Sequence, residues 1–367
     1  MLRLKRAALR QTLLGRKHGK SGTRDGSVCW KVMPIRVLVI LAIASTPVVL
    51  AAQDVPGTAV PDHFDHDPNA MVVTDGRPSP SKDELVLLPD HVIRVVIDGI
   101  PLKLLVTADA SGPVAVNPAV AVNLKWRATA EMLWDYGDGE PLRSGVMWQR
   151  LDFGDRSVTR PVMWSFGRAT PLADGMIGIH QLPYKRVVLP LSAPIGQQTV
   201  QRFQLKRFGS QQAQRIGTDL DADGRKLKAI FAANYVDNII TAPMANYLAS
   251  RFGGGFLPAS EGVLTMRFGV QRRTRIMQLA RPLQLGDLLV DRFAVRLEDY
   301  GKARHVGEAG TNDPRFDPNE IVVSDRKPRG RVDFLTRIGR GQIAHCSALT
   351  YDFDREEIIL TCGPPPE

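Results

Sequence analysis

The amino-acid sequence predicts an all-β fold of two lobes, each a small closed β-barrel carrying one short helix. Three observations lead there. The segment Leu102-Lys103-Leu104-Leu105-Val106-Thr107-Ala108-Asp109 lines up without a gap on Leu227-Lys228-Ala229-Ile230-Phe231-Ala232-Ala233-Asn234, 125 residues later. Two further elements repeat in the same order, which makes the match a duplication rather than the chance likeness of two hairpins. The apolar runs are also short and broken by turn residues, the pattern of strands rather than of long helices.

The first hairpin is read at 91–97 and 101–106 around Asp98-Gly99. A type I′ turn needs positive φ at both central residues, and Asp-Gly supplies it. Asn117-Pro118 then predicts an N-cap followed by proline at the first helical position, opening a short helix to Leu124. Strands at 146–153 and 157–166 turn around Phe153-Gly154-Asp155-Arg156, and Asp174-Gly175-Met176-Ile177-Gly178 leads into a strand at 186–191. In the second half, Thr241 and Pro243 open a slightly longer helix that Gly253-Gly254-Gly255 stops. Leu283-Gln284-Leu285-Gly286-Asp287 answers Leu151-Asp152-Phe153-Gly154-Asp155 at an offset of 132, and Leu335-Thr336-Arg337-Ile338-Gly339 answers 174–178 at 161. The jump between those offsets falls in 297–333, a polar stretch with Gly and Pro that reads as a surface insertion. A hairpin at 347–353 and 357–361, around Asp354-Arg355-Glu356, closes the chain.

These elements divide the sequence into a leader (1–52), a flexible arm (53–83), a first lobe (84–195) and a second lobe (196–363). The net charge of +10 belongs to the leader, which holds 10 of the 48 basic and one of the 38 acidic residues, leaving 38 against 37. A neutral folded part has no electrostatic footprint for nucleic acid. Residues 37–50 are uncharged and mostly apolar, follow Arg36 and precede Ala51 and Ala52. That run is short for a membrane span, which needs about 20 residues. It reads as a signal peptide cut near Ala51 or Ala52, placing the mature protein outside the cytoplasm, in the periplasm, with membrane contact only through the leader. Met33 offers a second start before a conventional signal.

Removing the leader removes Cys29 and leaves Cys346 and Cys362 at the ends of the closing hairpin. Paired strands would bring them together, and an oxidising compartment favours the disulfide, contributing up to about 3 kcal/mol. In the arm, Asp62-His63-Phe64-Asp65-His66-Asp67 matches no established ligand spacing and reads as a solvated acidic tail. No cofactor or metal is expected. His91, His180, His305 and His345 are scattered and read as surface or edge residues. Trp126, Trp134, Trp148 and Trp164 read as core packing, with a peptide groove as the other possibility.

Taken together, Leu-Leu-Val-Thr-Ala-Asp-Ala-Ser-Gly-Pro at 104–113, Ala-Asp-Gly-Met-Ile-Gly at 173–178, and Arg-Ile-Gly-Arg at 337–340 with Tyr351-Asp352-Phe353 resemble the pepsin and retropepsin-like aspartic proteases, in particular bacterial exported two-lobed members. The resemblance covers about 92–362 and implies a pepsin-like fold. It also implies an active site of two aspartates, one from each lobe, sharing one proton so that one activates water. By that alignment Thr107 and Ala232 stand at the aspartate positions, and Asp109 and Asn234 replace the family's close-approach glycines.

No catalytic residue is therefore intact. Asp109 remains a weak candidate, facing Asn234; the simpler expectation is that these two satisfy turn amides or each other by hydrogen bonds. No Gly-x-Ser-x-Gly or His-Glu-x-x-His pattern offers another mechanism. The reading is a catalytically degenerate, exported protease-like protein that binds an extended peptide or a protein partner in the cleft between lobes, by strand addition near a flap at Tyr136-Gly137-Asp138-Gly139. The alternative is an active aspartic-type endopeptidase with a non-standard site at Asp109.

Overall fold

The two halves are seeded by the same turn. In the computed structural model, Asp98 and Gly99 adopt φ of 51° and 78°, and Asp223 and Gly224 adopt 56° and 76°. Each pair gives the I′ geometry that matches the right-handed twist of flanking strands. The structure describes residues 82–134, 136, 141–210, 213–299, 302–303, 306–309 and 333–364. All belong to one of the chain's two units, Asp67–Glu367. The leader, Cys29, the arm up to residue 81, the flap tip at 137–140, His305 and most of the 297–333 insertion lie outside the described residues.

The first half runs β1 (Glu84–Val86), β2 (Val92–Ile97), β3 (Ile100–Thr107), β4 (Val114–Val116), α1 (Pro118–Asn123), β5 (Ala130–Trp134), β6 (Leu142–Asp152), β7 (Ser157–Trp164), β8 (Gly175–Gly178) and β9 (Arg186–Pro190). The second runs β10 (Thr199–Gln204), β11 (Lys206–Phe208), β12 (Arg215–Ala222), β13 (Arg225–Ala232), β14 (Ile239–Ile240), α2 (Ala242–Phe252), β15 (Gly255–Thr265), β16 (Gln271–Leu285), β17 (Leu288–Arg296), β18 (Leu335–Gly339), β19 (Cys346–Asp352) and β20 (Glu357–Cys362).

One sheet has the order β2-β3-β8-β4-β7-β6-β5, and β2 also pairs with β6, closing six strands into a barrel. A second has the order β11-β12-β13-β18-β14-β17-β16-β15. Its central strands follow the first sheet one for one. Thr107 lies opposite Gly178 as Ala232 lies opposite Gly339, and Val114 opposite Val162 as Ile239 opposite Ala294. These registers carry the same offsets as the sequence repeats. The architecture is thus all-β with two helices of one to three turns, as the sequence predicts; among the described residues a ladder closes the first sheet only. A third sheet, β1-β9-β19-β20-β10, takes strands from both halves. In it Cys346 and Cys362 are ladder partners and form the disulfide. Tyr351, fully buried in the same strand as Cys346, donates its hydroxyl to the Phe231 carbonyl at 3.3 Å and so ties the third sheet to β13.

The strands β3 and β13 begin exposed and end buried on both faces, which carries their last residues, Thr107 and Ala232, into the interior. The loops that follow press on the neighbouring strand. A Cβ on Gly178 would meet the Ala110 carbonyl at 2.5 Å, and one on Gly339 the Asp237 carbonyl at 2.3 Å, so both positions need glycine for space.

Three local expectations are corrected. Asn117 and Thr241 precede their helices without capping them through the side chain. Asn117 Nδ2 donates to the Ala173 carbonyl at 2.8 Å and Thr241 Oγ1 to the Asp333 carbonyl at 2.6 Å, because the chain entering β8 and β18 brings a carbonyl to each. His91 and His180 are not fully exposed groups: His91 is buried with Nε2 2.7 Å from the Pro190 carbonyl, and the Nδ1 of part-buried His180 is buried without a hydrogen-bond partner among the described residues. Trp126 and Trp164 do pack together at 5.7 Å, but Trp148 is largely exposed on β6.

Burial, reinforced by the charges of Arg160 and Arg207, lowers the His180 pKa from 6.5 to about 4. Protonation is therefore disfavoured in the folded state. Stability is complete above the ordinary imidazole value and falls as pH drops through that window, by about 3 kcal/mol in all. Urea unfolding at pH 7 and pH 4.5 should show the loss, and His180→Asn should lose less than the parent over the same interval. An equal loss in both would contradict this assignment.

Candidate functional site

The site forms where the loops after β3 and β13 meet. Thr107 Oγ1 donates to Asn234 Oδ1 at 2.9 Å and accepts from the Asp109 backbone N–H at 3.2 Å. The structure thus brings Thr107, Asp109 and Asn234 together, while the Ala232 methyl is fully buried at the end of β13. Among the described residues Asp109 and Asn234 neither bond one another nor satisfy turn amides with their side chains, contrary to the expectation from turn chemistry. Asn234 instead reaches to the threonine of the other half, and Asp109 reaches to an arginine.

That arginine is Arg337. It stands in β18 opposite Ile230 of β13 and occupies the place that Met176 holds in β8 of the first half. Its Nε donates to Asp109 Oδ1 at 2.7 Å, with the two side chains only 5% and 12% exposed. Burial alone would disfavour the Arg337 cation, but Asp109, with Tyr235 and Asp299, outweighs burial and raises its pKa above the ordinary value. Burial, and next the Asp109 charge, push the Tyr235 hydroxyl up to about 12, so that it stays protonated. The carboxylate at this site is therefore held by a permanent cation, the favoured form of a buried charge.

Around the pair lies a small pocket of about 50 Å³ lined by four arginines, Arg215, Arg267, Arg296 and Arg337, together with Asp109, Ser111, Tyr136 and Tyr235 as its other polar residues. Arg296 pairs with Asp299, both fully buried. Burial raises the Asp299 carboxyl, and Arg296 offsets only part of this. Arg215 and Lys228 both bond Asp333, at 3.2 and 3.1 Å. Burial would raise the Asp333 carboxyl, but these two cations outweigh it and hold it below its ordinary value. Asp109 is the one carboxylate lining the pocket among the described residues. No carboxylate pair is present there.

The mouth is bridged by the turn between β15 and β16. Arg267 Nη1 donates to the Ser111 carbonyl at 2.9 Å, Nε approaches the Tyr136 hydroxyl at 3.3 Å, and the guanidinium lies 4.7 Å over the Trp134 ring. Phe268 of the same turn is buried in a first-half cluster with Leu105, Met163 and Met176. Tyr136 is thus a wall of the pocket, whereas the flap tip beyond it lies outside the described residues. His345 lies near Cys346 and Cys362, but the two sulfurs are bonded to each other and cannot serve as thiolate ligands.

Sequence reasoning placed the loops but missed Arg337, Arg296 with Asp299, Arg215 and Arg267. A signal existed for Arg337: at the offset of 161 it answers Met176, a cation where the first copy keeps an apolar residue. Arg267 had none, since its role depends on where a long hairpin lands.

Thr107→Val removes both the donor to Asn234 and the acceptor of the Asp109 N–H while keeping the shape, and should cost about 1–3 kcal/mol, the penalty for leaving part-buried polar partners unmet. Thr107→Ser should cost much less. Urea midpoints at one pH measure both; an unchanged midpoint for the valine variant would show that the bond across the loops contributes nothing.

No protein-family model matches the chain, and no curated protein matches it. Among solved structures, the chain is similar to the EIAV protease complexed with the inhibitor HBY-793, at 17% identity over 24% of this chain and 79% of that one. The TM-score is 0.19, a likeness that supports no conclusion about function.

Proposed function

We propose that this chain is an exported, aspartic-protease-like protein without proteolytic activity, which holds a peptide or protein partner at the pocket between its two lobes. One observation carries the reading. Where the resemblance calls for two carboxylates sharing a proton, the loops present a threonine hydroxyl bonded to an asparagine, and the nearby Asp109 is bound to Arg337. The implied mechanism activates water through one carboxylate while a second holds a proton. Asp109 accepts from a guanidinium instead, and Asn234 offers an amide that does not titrate. This weighs against the alternative of an endopeptidase acting through Asp109.

The pocket also bears on how a partner would bind. An extended strand crossing the site would have to displace Phe268 from its buried position and break the Arg267 bridge to Ser111.

Purified protein incubated with unfolded casein from pH 3 to pH 7 should leave the substrate intact. Cleavage that pepstatin or Asp109→Ala abolishes would overturn the proposal.

A further inference from the structure

We infer that the arginine-lined pocket is a carboxylate-binding site, taking the carboxylate of a small acid or of a peptide C-terminus whose adjoining side chain is apolar. The inference deepens the reading above and rests on it, because a ligand held here sits where the resemblance would place the reacting bond.

Charge is the first ground. Arg337, Arg296 and Arg215 have carboxylate partners in Asp109, Asp299 and Asp333, whereas Arg267 has none among the described residues. Outside the pocket lining, Lys228 shares Asp333 with Arg215. Positive charge is therefore in excess around the pocket.

Unmet donors are the second ground. Arg337 is 4% exposed, lines the pocket and engages Asp109 through Nε, while its buried Nη1 has no hydrogen-bond partner among the described residues. Arg215 Nε is likewise buried without one. Buried donors in folded proteins are normally satisfied, so unmet guanidinium nitrogens on two arginines that line one pocket point to an acceptor in their neighbourhood. A planar carboxylate matches the fork of an arginine better than a spherical anion does.

Size and walls select the rest of the ligand. About 50 Å³ admits a small group but no folded peptide segment. Trp134, Met176 and Met266 line the same pocket and offer apolar and thioether surface beside the cations. An apolar residue ending in a free carboxylate satisfies both halves.

The test uses N-acetyl-leucine and the blocked peptide Ac-Ala-Ala-Ala-Leu, each as the free acid and as the C-terminal amide, titrated calorimetrically into the full protein at constant ionic strength. Saturable binding of an acid that its amide lacks supports the inference. Binding by both acids points to the carboxylate alone, and binding by the peptide acid only points to a chain terminus. Arg267→Gln, which leaves the buried pairs untouched, should weaken binding about tenfold or more, as expected for one lost charge-assisted hydrogen bond. If that variant does not fold, arginine-labelled NMR of the unaltered protein replaces it, and guanidinium signals should shift on adding the acid. Equal binding of acid and amide, no saturable binding, or guanidinium signals that do not move would overturn the inference. Peptide cleavage during titration would instead overturn the non-catalytic reading; an inert protein that binds nothing would sink only the carboxylate site.

Discussion

A guanidinium cannot be taken out of water without an anion beside it, and much of this site follows from meeting that requirement at Arg337. Its strand, β18, is buried at all five positions, and the matching strand β8 puts Met176 in the same place. Replacing a thioether by a cation forces a carboxylate into the neighbourhood. Asp109 supplies it from the loop after β3, so the two halves are tied by a charge pair at the point where their central loops meet. Removing either partner from such a buried pair leaves an uncompensated charge, typically costing about 3–5 kcal/mol.

The same substitution changes what the loops can do. Where the aspartic-protease resemblance implies like charges that compete for one proton, opposite charges satisfy each other. The Thr107–Asn234 bond adds a neutral link between the same loops, and Tyr235 stays protonated above them. Further cations at Arg215, Arg267 and Arg296 make the pocket electropositive rather than acidic. The turn carrying Arg267 and Phe268 leans across onto the first half, so the pocket is narrow as well as basic. Such an arrangement offers fixed donors to a negative group.

The architecture was legible in the sequence because it depends on local rules applied twice. Asp98-Gly99 predicts its hairpin from turn stereochemistry alone, and offsets of 125, 132 and 161 reappear as ladder registers. The closing hairpin and its disulfide followed from strand pairing between Cys346 and Cys362. The site was legible only in part. The places of Thr107, Asp109, Ala232 and Asn234 came from alignment, but their partners came from elsewhere: Arg337 is 228 residues from Asp109 in the chain. Pairing over such separations is set by how sheets stack, and no local pattern encodes it. Asn117 and Thr241 show the same limit, since their cap-forming side chains were taken by carbonyls 56 and 92 residues away.

A double-mutant cycle on Asp109→Ala and Arg337→Met tests the central constraint directly, methionine being the residue already present at the equivalent position of the first half. The pair predicts that each single variant loses about 3–5 kcal/mol of folding stability, while the double variant recovers much of it, with a coupling of at least about 2 kcal/mol. Additive effects within about 0.5 kcal/mol would contradict it and show that Asp109 and Arg337 do not hold each other.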